Sequence, residues 1–319
     1  MIKILDFLEN NLDKEHLDIL TKQINKVSGE YYFVPAIQGK FNFPYVLYIP
    51  NKIDSTTLIM HGNNLANEDP NDLYNVYSAV METSIHAGYE LTDLNQVIFI
   101  PVTSNYIHPA NNNMHEFFPM QATRNVVFCT DTKNIYYNIF GQINNMLFHL
   151  TNIIENLLSI TLDNKIICHG FSSSAKFVLR YATFNAEKVS LVIAGGFGAQ
   201  SIIPLKEYNG EKLIYSIGVY DVPSFNEKAF ANMRQYYFMG EKEDNSNDTA
   251  QNFRHTDPEI TKLYIKLFGN NIWDRFNKLK DIYRELGLNN ITLEKFIGYG
   301  HSATPGEEIT TKLIKEYRK

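Results

Sequence analysis

The chain has 319 residues, 44% hydrophobic and 20% charged, with a formal net charge of −6. Such values suit a globular α/β domain with a sizeable core. They argue against a chain built to coat nucleic acid or an anionic membrane surface, which would carry a basic excess.

Two cysteines, Cys129 and Cys168, are too few for a disulfide framework or a thiolate metal site. The first twenty residues, MIKILDFLENNLDKEHLDIL, alternate charged and apolar side chains and lack the unbroken apolar run of an export signal. No stretch approaches the roughly 20 apolar residues of a membrane span. The expectation is a cytoplasmic protein with no membrane or nucleic-acid partner.

Apolar residues at Ile4, Leu8, Leu12, Leu17, Leu20 and Ile24 fall near a helical stripe, so residues 1–29 read as a helical extension. Its stripe must pack on the core or on a second copy of the chain, which leaves a homo-oligomer open. The main domain, residues 30–319, starts with two aromatic and β-branched runs, Tyr31 to Ala36 and Tyr45 to Ile49, that suggest an antiparallel hairpin. Thr56 to Met60 is a short strand ending at His61-Gly62-Asn63-Asn64.

Asp72 to His86 has helical spacing, and Gln96 to Ile100 is a further strand stopped by Pro101. Alternating strand and helix predict a mostly parallel sheet covered on both faces. Thr103 to Arg124 reads as a long loop, with Tyr106, Phe117 and Phe118 as candidate pocket residues. Ile135 to Leu157 carries the apolar positions of a long helix.

Lys165 to Ala182, KIICHGFSSSAKFVLRYA, is the stretch around which the chain is organised. An apolar strand runs into Gly170-Phe171-Ser172-Ser173-Ser174 and then into a helix. This is G-x-S-x-G with serine in place of the last glycine, in the strand-turn-helix setting of a nucleophile elbow. Ser172 is the candidate nucleophile. Its bland alternative is a polar loop whose serines cap the following helix.

Beyond the elbow, strands are expected at Leu191 to Ala194, Lys212 to Ile217, Gln235 to Met239 and Leu293 to Ile297. A helical insertion at Asp257 to Leu288 carries Trp273, and Glu307 to Tyr317 closes the chain as a helix.

A serine hydroxyl becomes nucleophilic when a histidine accepts its proton, and the histidine needs a carboxylate to fix its tautomer. In elbow proteins the order along the chain is serine, acid, histidine. His301, in Gly298-Tyr299-Gly300-His301, is the histidine that follows the last strand. Asp221, Asp244 and Asp248 all follow strand-like stretches, and Asp244 is favoured because its strand precedes the insertion. Two N–H donors must also meet the oxyanion, one from Ser173 and one from the His61-Gly62 loop, best placed at Asn63. No H-E-x-x-H pair and no Walker or dinucleotide fingerprint occurs, so no metal or cofactor is expected.

In this order, strand-His-Gly, elbow serine, strand-acid and Gly-x-Gly-His resemble the α/β-hydrolase superfamily over Tyr31 to Lys319. GFSSSAKFVLRYATFNAEKVSLVIAGG, YSIGVYD and YYFMGEKEDNSND resemble its polyhydroxybutyrate depolymerase-like and feruloyl or acetyl esterase-like branch. The resemblance implies a triad of Ser172, Asp244 and His301 acting on a small ester. It departs from the family at Ser174, and at one extra residue between Gly240 and Asp244 relative to the usual Gly-x-x-Asp. The fold it implies is an α/β-hydrolase domain with a mostly parallel eight-stranded sheet flanked by helices, and the expected activity is that of a cofactor-independent serine esterase. The alternative is a catalytically silent hydrolase fold used for binding.

Overall fold

The computed structural model describes residues 1–9, 11–64, 73–103, 106–107, 115–116, 122, 124–223, 225–243 and 258–317. Nine strands form its main sheet: β1 (Ile2–Lys3), β2 (Gly29–Val34), β3 (Tyr45–Pro50), β4 (Ile59–His61), β5 (Ile98–Pro101), β6 (Ile166–Phe171), β7 (Val189–Gly195), β8 (Arg234–Gly240) and β9 (Ile291–Phe296). Their spatial order is β1-β2-β3-β5-β4-β6-β7-β8-β9. Pairing is antiparallel from β1 through β3 to β5 and parallel from β5 to β9.

The parallel half follows from composition. Every residue of β5, β6 and β7 is buried, as expected when helices cover both faces of a sheet. On one face α4 (Ile139–Leu158), α5 (Ser173–Phe184), α6 (Pro258–Phe268) and α7 (Ile272–Glu285) contribute to one large apolar cluster. On the other, α1 (Ile4–Leu8), α2 (Lys14–Ile24), α3 (Leu73–Ile85) and α8 (Thr304–Tyr317) contribute to a second. Helix α2 starts where Asp13 accepts a hydrogen bond from His16 N–H at 3.0 Å, and α7 where Asn271 accepts from Trp273 N–H at 2.8 Å. Both are side-chain N-caps.

Two expectations need correction, the strand count and the strand at Lys212 to Ile217, and one alternative left open is decided. The sheet has nine strands rather than eight, because Ile2 and Lys3 pair with Phe33 and Tyr32 and extend the edge. The stripe of the N-terminal helices is buried within the chain, through Ile4, Leu8, Leu20 and Ile24. The segment expected as a strand at Lys212 to Ile217 is mostly turns. Only Glu211–Lys212 pairs, with Glu207–Tyr208, outside the main sheet. Its apolar residues serve packing: Tyr215 belongs to a small cluster with Ile202, Val219 and Val222.

The carboxyl ends of β4, β6, β7, β8 and β9 share one edge of the sheet, where their loops converge. Ile167 lies fully buried in β6 beneath it. Ile167→Ala is expected to lower unfolding free energy by about 2–5 kcal/mol in urea titration. Ile297→Ala, at a position 68% exposed, should change it by less than about 0.5 kcal/mol.

Candidate active site

Strand β6 ends at Phe171, and α5 begins two residues later. Ser172 bridges them at φ 62° and ψ −122°. A non-glycine residue there is strained, and it persists only where its surroundings over-determine it. Its N–H donates to Gly195 O at 2.8 Å. Ser174, which replaces the motif's second glycine, has its hydroxyl folded back on Phe171. Its Oγ donates to Phe171 O at 2.7 Å and accepts from Phe171 N–H at 2.9 Å. Gly170 has no room for a side chain, since a Cβ would lie 2.6 Å from Ser174 O. The departure from the motif is therefore accommodated, with the serine hydroxyl pinning the turn.

The loop after β4 is fastened to the same turn. Gly62 N–H donates to His169 O at 2.8 Å. Asn64 spans the elbow: its Nδ2 donates to Phe171 O at 3.0 Å and its Oδ1 accepts from Ser174 N–H at 3.0 Å. Asn63 is buried, with no hydrogen-bond partner for its side-chain amide among the described residues. Sequence reasoning chose Asn63 and Ser173 for their main-chain N–H groups and passed over Asn64, for which no motif exists.

His301 reaches the serine. Its Nε2 lies 2.9 Å from Ser172 Oγ, and its Nδ1 lies 2.6 Å from Glu243 Oε2. A carboxylate at Nδ1 fixes the tautomer, with Nδ1–H donating to Glu243 and Nε2 free to accept the serine proton. The ring packs on Phe171 at a centroid distance of 4.8 Å.

The acid and histidine loops are tied through their main chains. Glu241 N–H donates to Phe296 O at 2.8 Å and Lys242 N–H to Tyr299 O at 2.7 Å. A Cβ on Gly240 would sit 2.1 Å from Gly300 O, so the two loops touch backbone to backbone.

The carboxylate brought to His301 is thus Glu243, where the sequence favoured Asp244. Asp244 and Asp248 lie outside the described residues. Asp221 is engaged elsewhere, bonded to Arg124 and accepting from Tyr215 N–H at 2.8 Å. The signal for Glu243 was present in the spacing: Gly240-Glu241-Lys242-Glu243 is Gly-x-x-acid, with Glu243 mistaken for an inserted residue. Glu243 is 3% exposed. Nearby Lys176 is brought down to about 7, chiefly by burial and then by Arg180 and Arg275, with Glu243 acting in the opposite direction.

Tyr106, Phe117 and Phe118 fall on residues whose side chains are not described. Trp273 packs edge-on against Phe276, and Lys295 Nζ sits 5.2 Å over its ring. Among the described residues, no group of three or more His, Cys, Asp or Glu side chains could hold a metal ion. No helix among them is long and apolar enough to cross a membrane.

Behind the elbow lies a buried chain of four titratable groups. His61 Nδ1 and His169 Nδ1 are 2.9 Å apart, His61 Nε2 is 3.8 Å from Glu82, and His169 Nε2 is 3.5 Å from Glu90. Burial holds His169 well below the usual histidine range, helped by His61. Burial likewise pushes Glu90 from 4.5 up to about 8.

No family model matches the sequence, and no curated protein matches it significantly. Solved structures do. Poly(aspartic acid) hydrolase-1 from Sphingomonas sp. KT-1 is 16% identical with a TM-score of 0.54, over 90% of this chain and 98% of that one. A poly(3-hydroxybutyrate) depolymerase from Bordetella parapertussis is 14% identical with a TM-score of 0.54, over 96% of each chain. The chain has the α/β-hydrolase fold that its motifs resemble.

The raised Glu90 gives a pH test. The folded state holds that proton more tightly than the unfolded state, so Glu90's contribution to unfolding free energy falls as pH rises from about 4.5 to about 8 and then levels. His169, held low, acts in the opposite direction below its ordinary value of 6.5, so thermal melts across about pH 6.5 to 9 should show the decline in the wild type and a smaller one in Glu90→Gln. Parallel curves for the two proteins would show that Glu90 is not held protonated.

Proposed function

We propose that the chain is a serine hydrolase that cleaves carboxylic esters through an acyl-enzyme intermediate. Ser172 is its nucleophile, His301 its general base and acid, and Glu243 the carboxylate that orients His301. One observation carries this reading: the continuous relay from Ser172 Oγ to His301 Nε2 at 2.9 Å and from His301 Nδ1 to Glu243 at 2.6 Å. Its setting supports it, since the serine stands on a strained strand-to-helix turn at the carboxyl edge of the sheet. Hydrolases among the structures of like fold add to the reading.

The steps follow from the residues. Ser172 Oγ attacks the ester carbonyl carbon while its proton passes to His301 Nε2. Glu243 stabilises the imidazolium that forms. The carbonyl oxygen, now negative, is met by main-chain N–H groups of Ser173 and Asn63, each worth about 10²–10³ in rate when well aimed. Asn64 has the supporting task of holding the loop bearing Asn63 against the elbow.

Collapse of the tetrahedral species breaks the bond to the leaving oxygen, which takes the proton from His301. Water then gives a proton to His301 and its hydroxide to the acyl carbon. The acid departs as Ser172 recovers its proton.

Labelling with a fluorophosphonate and turnover of short-chain p-nitrophenyl esters test this reading. Ser172→Ala should abolish labelling and lower kcat by about 10⁴–10⁶. Glu243→Gln should lower kcat by about 10⁴, as expected when the histidine loses its orienting carboxylate, while Asp221→Asn should leave kcat within about threefold of wild type. A folded protein that resists the probe would favour a silent binding module. Normal turnover in Glu243→Gln would remove that residue from the relay.

A further inference from the structure

Beside the relay lies a cavity of about 650 Å³ that shares His301, Phe171 and Asn64 with it and continues to Glu82, Tyr89 and Glu307. Its polarity is one-sided. Two carboxylates line it, Glu82 from α3 and Glu307 from the first turn of α8, and no lysine or arginine does among the described residues. The remaining titratable groups on its wall are His86 and Tyr89, besides His301 itself. The Tyr89 hydroxyl donates to Glu307 Oε2 at 3.0 Å, which steadies that carboxylate at the rim.

Glu82 stands out among these. It is only 8% exposed, and its Oε2 has no hydrogen-bond partner. Its Oε1 is 3.5 Å from Asn64 Nδ2, at the limit of a hydrogen bond, while Oε2 faces His61 Nε2 at 3.8 Å. A carboxylate taken out of water with so little compensation is costly, and a cation supplied from the cavity would offset that cost. Phe171 and Tyr89 line the same cavity. Aromatic faces together with carboxylates suit an alkylammonium group, which gains from both the ring quadrupole and the negative charge.

We propose that this cavity is the leaving-group subsite and that it takes an alcohol carrying an alkylammonium group. The inference rests on the hydrolase reading above. The leaving oxygen must come within hydrogen-bond reach of His301 Nε2 to receive its proton, so the leaving group lies on the His301 side of Ser172. That is the side on which this cavity opens.

Propionylcholine and 3,3-dimethylbutyl propionate test it. They are near-isosteric in the leaving group and deliver the same acyl-enzyme, so their kcat/KM values differ only through acylation. Each value is divided by the ester's own hydroxide-catalysed rate to remove intrinsic reactivity. The normalised ratio should favour the cation by about tenfold at low salt and shrink in 0.5 M NaCl.

Glu307→Gln, checked for folding by thermal melt, should lower that ratio by about threefold or more. Glu307→Lys should lower it further, and Glu82→Gln should lower it if that variant folds. A normalised ratio at or below one overturns the inference, as does a preference that Glu307→Gln and Glu307→Lys leave unchanged. If p-nitrophenyl esters are turned over in the same preparation, those outcomes count against the subsite alone. No turnover of any ester, with no fluorophosphonate labelling, overturns the hydrolase reading and the subsite with it.

Discussion

The backbone of Ser172 is the constraint on which the rest depends. Holding a non-glycine residue at φ 62° and ψ −122° costs on the order of 1–3 kcal/mol, so the neighbouring structure has to repay it. Three separate elements do. Gly195 at the end of β7 accepts the serine's N–H, Ser174 bonds both polar groups of Phe171, and Asn64 links Phe171 O to Ser174 N–H from the loop after β4. Each fastening comes from a strand end or helix start whose position the buried parallel sheet already sets. Core packing thereby becomes the precision of one hydroxyl.

The other half of the relay is built differently. Glu243 and His301 sit on loops after β8 and β9, adjacent parallel strands in register from Gln235 with Ile291 to Gly240 with Phe296. The pairing continues past the strands through Glu241 N–H to Phe296 O and Lys242 N–H to Tyr299 O. A main-chain zipper of this kind fixes the separation of the two loops more tightly than side-chain contacts could. It also explains why the carboxylate at His301 Nδ1 belongs to a glutamate three residues past Gly240. The Glu243 N–H turns back onto Gly240 O at 3.0 Å, and the longer side chain then spans the gap to Nδ1. Asp244, one residue later, was expected from residue type and from its place before the insertion, but hydrogen-bonded register decides which carboxylate arrives.

What could be read from the sequence was what local pattern controls. The buried run Ile166 to Cys168 with small residues behind it announced strand, elbow and helix, and the order serine, acid, histidine located His301. The hairpin of β2 and β3 and the long helix α4 followed from alternation and from helical spacing. What could not be read was decided by tertiary contacts. Leu213, Tyr215 and Ile217 have the composition of a strand, yet they are apolar because turns there pack into the interior. Ile2 and Lys3 form a strand only because β2 leaves an edge to pair with. Asn64 looks like any loop asparagine until the elbow places Phe171 O and Ser174 N–H at its two ends.

The histidine pair behind the elbow is a buried polar contact that the relay does not use. Two neutral imidazoles facing each other through Nδ1 at 2.9 Å can share only one proton between those atoms. Glu90, pushed up to about 8, keeps a proton at neutral pH and presents it toward His169 Nε2. Beyond the two rings stand two carboxyl groups, Glu90 3.5 Å from His169 Nε2 and Glu82 3.8 Å from His61 Nε2. The contact to Glu82 is too long for a hydrogen bond, and His61 Nε2 and Glu82 Oε2 have no hydrogen-bond partner among the described residues. Glu82 in turn lies beside Asn64, whose side chain ties the loop after β4 to the turn at Ser172. Burial disfavours charge on His169, so the row of groups beneath that strained turn is joined by an imidazole contact and not by an ion pair of His169.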